Sequence, residues 1–526
     1  MASKKLFSNK ANSKSNSVKF VKASDATNNA GGQAYKLSDK AALVQYAMTG
    51  CFNGTYYTSD KDQLTKTLEL SKKVSPEFLA KLAVYSRQSG FMKDMPAVLA
   101  ALVASRSPEL LAKIFPKVIN NPKMLRNFVQ VIRSNVAGRK SLGTRPKKLI
   151  QAYLENLTDE QLFKADVGND PSLQDIIKLV HPRPSSKKRN AMYAYLLGKD
   201  YNKEDLSELA CNFESFKKDM TKEIPDVPFQ MLTALPLTNE HWNKIAEHAT
   251  WTQIRMNLNT FERHDVLKNS SLVSTLADKL GDPEQVRRAK VFPYQLFTAF
   301  QNVHETVPMK LKIALQKAAE VACENIPEIK GKVYVMVDVS GSMSSPVTGS
   351  RGTVSTKTRC IDIAALVAAA ILRKNPDATV MPFDTRVHHV NMNPMDSIMT
   401  NAAYLAKFGG GGTNCALPLE ALNHVGAKGD LVLYVSDNES WVDSGRYHST
   451  GTMAAWQKFK TRNPNAKLVN IDIQPSSTTQ TNERPDVLNI GGFSDQIFEV
   501  IAKFVEMGNN KDMWVQTIES VEYYSP

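Results

Sequence analysis

The stretch that decides the fold is GKVYVMVDVSGSMSS, residues 331–345. Its first half is an apolar, β-branched run of strand length. Its second half sets one carboxylate, Asp338, ahead of a crowd of small hydroxyls. Four further runs of the same kind follow: ATVMPF, DLVLYVS, AKLVNIDI and DVLNI. Helical patterns separate them, among them TRCIDIAALVAAAILRK, ALPLEALNHV, TMAAWQKFKTR and FSDQIFEVIAKFVEMG. Strand alternating with helix predicts βαβ units and a Rossmann-like, doubly wound parallel sheet.

Ligands of such sheets bind beyond the carboxyl ends of the strands. Asp338 stands at one such end, with Ser340 and Ser342 at alternate positions after it, giving D-x-S-x-S. An acid and two hydroxyls are hard oxygen donors suited to Mg²⁺ or another divalent cation. Two other strand-end loops can complete the set. FGGGGTNCALPL places Thr413 after a glycine run, and VLYVSDNES places Asp437 directly after an apolar strand. D-x-S-x-S alone reads equally as a turn cluster without metal, and the three loops together favour the cation.

Catalytic sets do not announce themselves. There is no G-x-x-x-x-G-K-[ST] phosphate loop, and no second acid or lysine beside Asp338. His388 and His389 are adjacent on an expected strand, so they point to opposite faces and read as surface or edge histidines. Cys415 reads as a small buried thiol. The chain is expected not to be an enzyme.

Upstream the grammar is helical. From about Leu37 to Ile326, apolar residues recur at spacings of three and four, as in AALVQYAM, SPEFLAKLAVYSRQ and KKLIQAYLENL. Ser38, Ser59, Ser75, Thr158 and Ser271 stand at expected helix starts. Short helices stacked over so long a span suit an α-solenoid of HEAT type. The boundaries expected are a flexible basic tail over 1–30, a helical domain over 31–330 and the α/β domain over 331–526.

Charge separates the two parts. Of the 66 Lys+Arg and 52 Asp+Glu, 17 and 19 lie from Gly331 onward, which leaves a net +16 for residues 1–330. A basic helical part beside a near-neutral one points to a polyanion partner for the first. The positive residues cluster at loops and helix starts. Arg139, Lys140, Arg145, Lys147 and Lys148 form one group; His181, Arg183, Lys187, Lys188 and Arg189 form another. Arg255, Arg263, Arg287, Arg288 and Lys290 follow further on. With no major-groove reading motif present, RNA is favoured over DNA. Five scattered cysteines without a CxxC pair suggest a reducing compartment. No run is long enough to span a membrane, and the N-terminus lacks a signal-peptide core.

The second part resembles a von Willebrand factor A domain, with Asp338, Ser340, Ser342, Thr413 and Asp437 on its metal-ion-dependent adhesion site. There the serines and threonine bind the cation directly, the aspartates act through water, and one position is left for a partner's carboxylate. With GCFNGTYYTSD, AGRKSLGTRPKKLIQAYL, DIIKLVHPRP and AKVFPYQLFTAF, the whole chain after its tail resembles the Ro ribonucleoprotein autoantigen family of TROVE-domain proteins. The resemblance implies a ring of HEAT-like repeats with a positive central hole, held shut by the A domain. It implies small noncoding Y RNA on the outer basic surface, with His181, Lys147 and Lys148 in the contact region. Single-stranded ends of misfolded RNA would enter the hole, whose lining residues the sequence does not assign. Work with an exoribonuclease in RNA quality control, a cytoplasmic location and a monomeric state are further expectations. A protein-interaction scaffold, whose metal site captures an acidic residue of a partner, is the alternative. A metal-dependent nuclease or phosphatase would need a second acid near Asp338.

Overall fold

The structure, a computed structural model, describes residues 21–50, 52–291, 293–324, 326, 328–351, 354–355, 357–443, 445, 448–492, 496–507 and 512–523. Helix follows helix from Asp39–Thr49 to Met309–Ala322. Ser38, Ser59 and Ser75 cap as expected, each side-chain oxygen accepting a first-turn amide. Thr158 and Gln161 form a reciprocal capping box. Ser271 does not cap. Asn269 takes that role two residues earlier, and Ser271 lies inside the helix Ser270–Leu280. Asparagine caps as well as serine, so the choice fell to the residue the chain path reached first.

The five expected strands form one all-parallel sheet. In chain order the strands of the molecule are β1 (Ala26–Thr27), β2 (Gln33–Lys36), β3 (Val333–Asp338), β4 (Thr379–Phe383), β5 (Leu431–Ser436), β6 (Lys467–Asp472), β7 (Thr478–Thr479) and β8 (Val487–Gly491). The short pair Ser350–Arg351 and Val354–Ser355 stands apart. The main sheet runs β8-β6-β5-β3-β4. The chain steps from β3 to one side and returns for β5 on the other, so the switch point lies between β3 and β5.

Alternation along β3 explains the layers. Val333, Val335 and Val337 join the core that includes the helix Cys360–Lys374, while Tyr334 and Met336 join Trp456 and Phe459 on the other face. Both faces are therefore apolar, as a parallel sheet requires. Each fully buried Val, Leu or Phe side chain contributes about 1.5–3 kcal/mol relative to exposure.

Both ends of the helical array are seated on the α/β part, which closes the array into a ring. At the first end, Gln45 Nε2 donates to Asp472 Oδ2 at 2.7 Å, Lys40 pairs with Glu519 at 2.5 Å and Trp514 Nε1 donates to the Tyr85 hydroxyl at 3.4 Å. At the last end, Glu320 accepts from the amide of Ile398 at 2.8 Å and pairs with Arg373 at 3.4 Å. The architecture is thus a HEAT-like helical ring followed by a doubly wound A-type domain.

The expected tail needs correction. Residues 1–20 lie outside the described residues, but those from Ser24 to Lys36 are folded onto the second part. β2 pairs antiparallel with β1 and with β7. The Asn28 side chain donates to the Ser440 carbonyl at 2.7 Å, and Asn29 donates to Glu439 through backbone and side chain, both at 2.7 Å. The reason is valence: β2 offers unpaired edge groups that β7 satisfies, and Asn28 and Asn29 fit a buried acidic loop.

Candidate metal centre and nucleic-acid interface

Three loops meet above the switch point. Asp338 ends β3 and is fully buried; Ser340 directly precedes the tight turn Gly341–Ser344, and Ser342 lies within it. Asp437 follows β5 directly, and Thr413 lies just ahead of the helix Leu417–His424. All five expected ligands are buried. Backbone bonds lock the loops together. Gly410 N–H donates to the Val339 carbonyl at 3.0 Å and Gly341 N–H to the Gly411 carbonyl at 2.9 Å. The Thr413 carbonyl accepts from the amides of Trp441 and Val442, both at 3.2 Å. One glycine is indispensable: Gly409 has φ +106°, and a Cβ there would stand 1.7 Å from the Val339 carbonyl oxygen.

Within this frame the hydroxyls face the acids. Asp338 Oδ1 accepts from the Ser340 amide at 2.8 Å, and Ser436 Oγ donates to Asp338 Oδ2 at 2.5 Å. Ser340 Oγ and Ser342 Oγ are 3.2 Å apart. Desolvation pushes both carboxyls up from their ordinary range, and the charge of Asp437 adds to the shift of Asp338. Neither acid forms an ion pair with a Lys, Arg or His among the described residues. Two buried acids without a counter-charge fit a divalent cation, and the hydroxyls supply neutral oxygen donors of the right hardness. Among the described residues no group of three or more His, Cys, Asp or Glu is arranged for a metal. A cation here would therefore depend on Ser340, Ser342 and Thr413 joining the two aspartates.

Sequence reasoning missed four neighbours. Ser436 stood unremarked inside VLYVSDNES. Glu439, two residues past Asp437, is buried and pinned by Asn29. Asp384, just past β4, is buried and pairs with His388 Nε2 at 3.1 Å. His388 is thus neither on a strand nor at the surface: only Val387 makes a bridge, to Phe383, and the imidazole packs on Phe408. Burial and the charge of Asp437 push up the phenol of Tyr57, which comes from the helical part. Cys415 is a buried thiol, its pKa raised by desolvation.

The basic groups are redistributed by the fold. Lys140, Lys147 and Lys148 line one cleft of about 520 Å³ together with Arg133, which sequence reasoning passed over. None of these four forms an ion pair among the described residues. Gln151 donates to the carbonyls of Val180 and His181, at 2.6 and 3.2 Å, so the exposed His181 stands at the neighbouring helix end. Arg145, Arg183 and Lys188 are exposed. Lys187 lines a different cleft, shared with Asp200 and Asp205. Arg139 is half committed, donating to the carbonyls of Ala104 and Ser141.

Arg189 leaves the candidate set. It is buried, pairs with Asp159 at 2.9 Å and donates to the carbonyls of Leu154 and Leu157. Its guanidinium satisfies helix-end carbonyls and is buried away from solvent.

A second positive group emerges that no local pattern signalled. Lys93 is exposed by surface area, yet its ammonium pKa is lowered, first by desolvation. Lys123, Arg87 and Arg255 add repulsion, and Asp94 opposes it. Of these, Arg87 donates to Asn120 Oδ1 and Arg255 to the Gln295 carbonyl.

Comparison with known proteins agrees with this architecture. Residues 332–505 match the family model of the Ro60 vWA domain, and residues 139–359 match that of the TROVE domain. The chain is 22% identical over 514 residues to "RNA-binding protein RO60" of Deinococcus radiodurans, covering 91% of this chain and 94% of that protein. It is 20% identical over 591 residues to the Caenorhabditis elegans protein of the same name, covering 92% and 90%. Its fold is similar to the crystal structure of the Deinococcus radiodurans RO (RSR) protein, with TM-score 0.62 and 18% identity, covering 89% of this chain and all of that one.

Proposed function

Since the chain belongs to the Ro60 family of TROVE-domain proteins, we propose that it is a non-enzymatic RNA-binding protein of the Ro type. The observation that carries this reading is two groups of cations that form no ion pair among the described residues. The first is the outer cleft with Arg133, Lys140, Lys147 and Lys148, beside His181. It suits the phosphates of a small folded Y-like RNA. The second is the group of Arg87, Lys93, Lys123 and Arg255, in which Arg87 and Arg255 also donate to Asn120 and the Gln295 carbonyl. It suits one RNA strand, whose phosphates would relieve the mutual repulsion, and so the single-stranded end of a misfolded RNA. The protein would then act, as a cytoplasmic monomer working with an exoribonuclease, in RNA quality control.

At the strand ends the same reading holds a divalent cation, Mg²⁺ or an equivalent, through Ser340, Ser342 and Thr413, with Asp338 and Asp437 supplying charge. The cation would match the two acids and leave a position for a carboxylate. This supports a second reading, in which the protein is a scaffold that captures an acidic residue of a protein partner. The discriminating experiment is sequencing of RNA that copurifies with the full chain, with filter binding of the species found. Enrichment of small structured RNA supports the first reading. Purified protein that carries and binds no RNA promotes the second.

A further inference from the structure

In a helical solenoid each repeat touches only its neighbours, so the array bends easily between repeats. Residues 513–523 cut across that pattern. The helix Met513–Glu519 packs against both Asp39–Thr49 and Pro76–Gln88. Its Trp514 and Ile518, and Tyr523 beyond it, are buried in the core, and Trp514 Nε1 donates to the Tyr85 hydroxyl at 3.4 Å. The rim of the contact is polar. Lys40 pairs with the Glu519 carboxylate at 2.5 Å, Lys81 donates to the Glu519 carbonyl, and Lys117 donates to the Glu522 carbonyl at 3.4 Å. These lysines come from Asp39–Thr49, Pro76–Gln88 and Pro108–Val118, three alternate helices of the array. Cations suit the free carbonyls at the end of a helix. The exposed Lys40–Glu519 pair contributes little, and the buried Trp514 and Ile518 carry the hold.

The N-terminal segment secures the same seam. β2 lies between β1 and β7, and the Leu37 amide donates to the Ser477 carbonyl at 3.1 Å. Two residues later the first helix begins, and within it Gln45 holds Asp472. All of these contacts are noncovalent. The last seam differs in kind, because the chain itself crosses it between Ala322 and Val333. No RNA strand can pass through a continuous chain. Of the two seams, the first is therefore the one that could admit a strand sideways, and it is the one held from both sides.

We propose that the seam between residues 24–49 and the A domain is the doorway of the ring, and that residues 513–523 are the bolt that keeps it shut, so that a strand enters by a free end and a strand without ends is refused. The inference rests on the RNA reading above. It sets a limit on substrate that charge does not, since a closed circle carries the same phosphates as its linear form. Refusal is a matter of population: a ligand that needs the open seam binds more weakly by the fraction of time the seam is open.

The test uses the full chain with Lys40→Cys and Glu519→Cys, joined by a short bismaleimide. The bridge turns residues 40–519 into one covalent loop around the enclosed space. Linear RNA with a single-stranded end should bind the bridged and unbridged chains alike, within about twofold, whereas a loss of about tenfold on bridging would mean sideways entry and overturn the proposal. Circular single-stranded RNA gives the second readout, because a circle threaded through the covalent loop stays with the chain on a denaturing gel. Added after bridging, it should not be caught; capture in that order overturns the doorway. Added before bridging, it should be caught about tenfold more by a chain that also carries Trp514→Ala than by one that keeps Trp514. Lys81→Ala with Lys117→Ala, which spares the buried core, should raise capture by a smaller factor. Equal capture by all these chains, or capture by none, overturns the bolt and leaves the RNA reading standing. Failure of the unbridged chain to bind the linear RNA overturns the RNA reading itself, and the bolt with it.

Discussion

The Gln45 side chain of the first helix donates to the Asp472 carboxylate at the end of β6, with Nε2 and Oδ2 2.7 Å apart and both residues buried. This bond crosses the seam where the ring closes. Gly491 lies so close that a Cβ would stand 2.5 Å from Gln45 Oε1. Desolvation pushes the Asp472 carboxyl well above its ordinary range.

Gln45→Ala should therefore destabilise the chain by about 2–3 kcal/mol, the cost of stranding a buried acceptor. Denaturant unfolding measures it. Limited proteolysis should also show earlier cleavage near the seam, because the first helix loses its polar anchor. Unchanged stability would mean that apolar packing alone holds the seam.

Acidity and divalent cations should oppose each other at the strand ends. Burial raises Asp338 to about 7 and Asp437 to about 6, from an ordinary 3.8. A folded-state value above the unfolded one means the folded chain holds the proton more tightly. The stability that protonation adds is present at low pH and lost as pH rises through the folded value. In EDTA, thermal unfolding should thus fall between about pH 5 and about pH 8. Mg²⁺ should restore the loss at pH 8, because a bound cation stabilises the ionised pair.

Asp338→Asn removes one of the two buried charges. At pH 8 in EDTA it should unfold at a higher temperature than the parent, and Mg²⁺ should no longer raise that temperature. A parent-like response to Mg²⁺ would place the cation elsewhere. RNA affinity should change little, since the basic surfaces belong to the other part of the ring.

On the outer surface, Lys147→Glu with Lys148→Glu should leave thermal stability intact and weaken a small structured RNA, lowering its salt slope by about 2. Arg189→Met should do the reverse. It strands the carbonyls of Leu154 and Leu157 and the buried Asp159 partner, at a cost of about 3 kcal/mol or more. Its effect on RNA should follow from unfolding alone. Filter binding and thermal scans on the same preparations separate the two.

The α/β part was legible because its signals are local. An apolar run of strand length, a glycine-rich loop and an aspartate just past a strand each sit within a few residues, and β3, the Gly409–Gly412 loop and Asp437 converge as those signals imply. The helical caps read equally well, except where Asn269 preceded Ser271. What the sequence concealed was long-range. Gly54 meets Ser350 and Gln45 meets Asp472 only because the ring closes, and no periodicity encodes that closure. Charge counting also could not tell a solvent-facing cation from a structural one. Arg189 stood in the same run as Lys187 and Lys188, yet its position on the helix turns it inward to cap its neighbour. The N-terminal residues looked like a tail because polar, small side chains carry no period, although Asn28 and Asn29 are tied to the acidic loop.

The most direct measurement is the affinity of the full chain for a structured RNA with a single-stranded end, against the same RNA trimmed blunt and a duplex DNA of equal length, across a salt series. The account predicts tightest binding to the RNA with the free end, a steep salt dependence, and loss of the preference for that end in Lys93→Glu with Arg255→Glu. Equal affinity for all three nucleic acids, or a preference untouched by those substitutions, would contradict it.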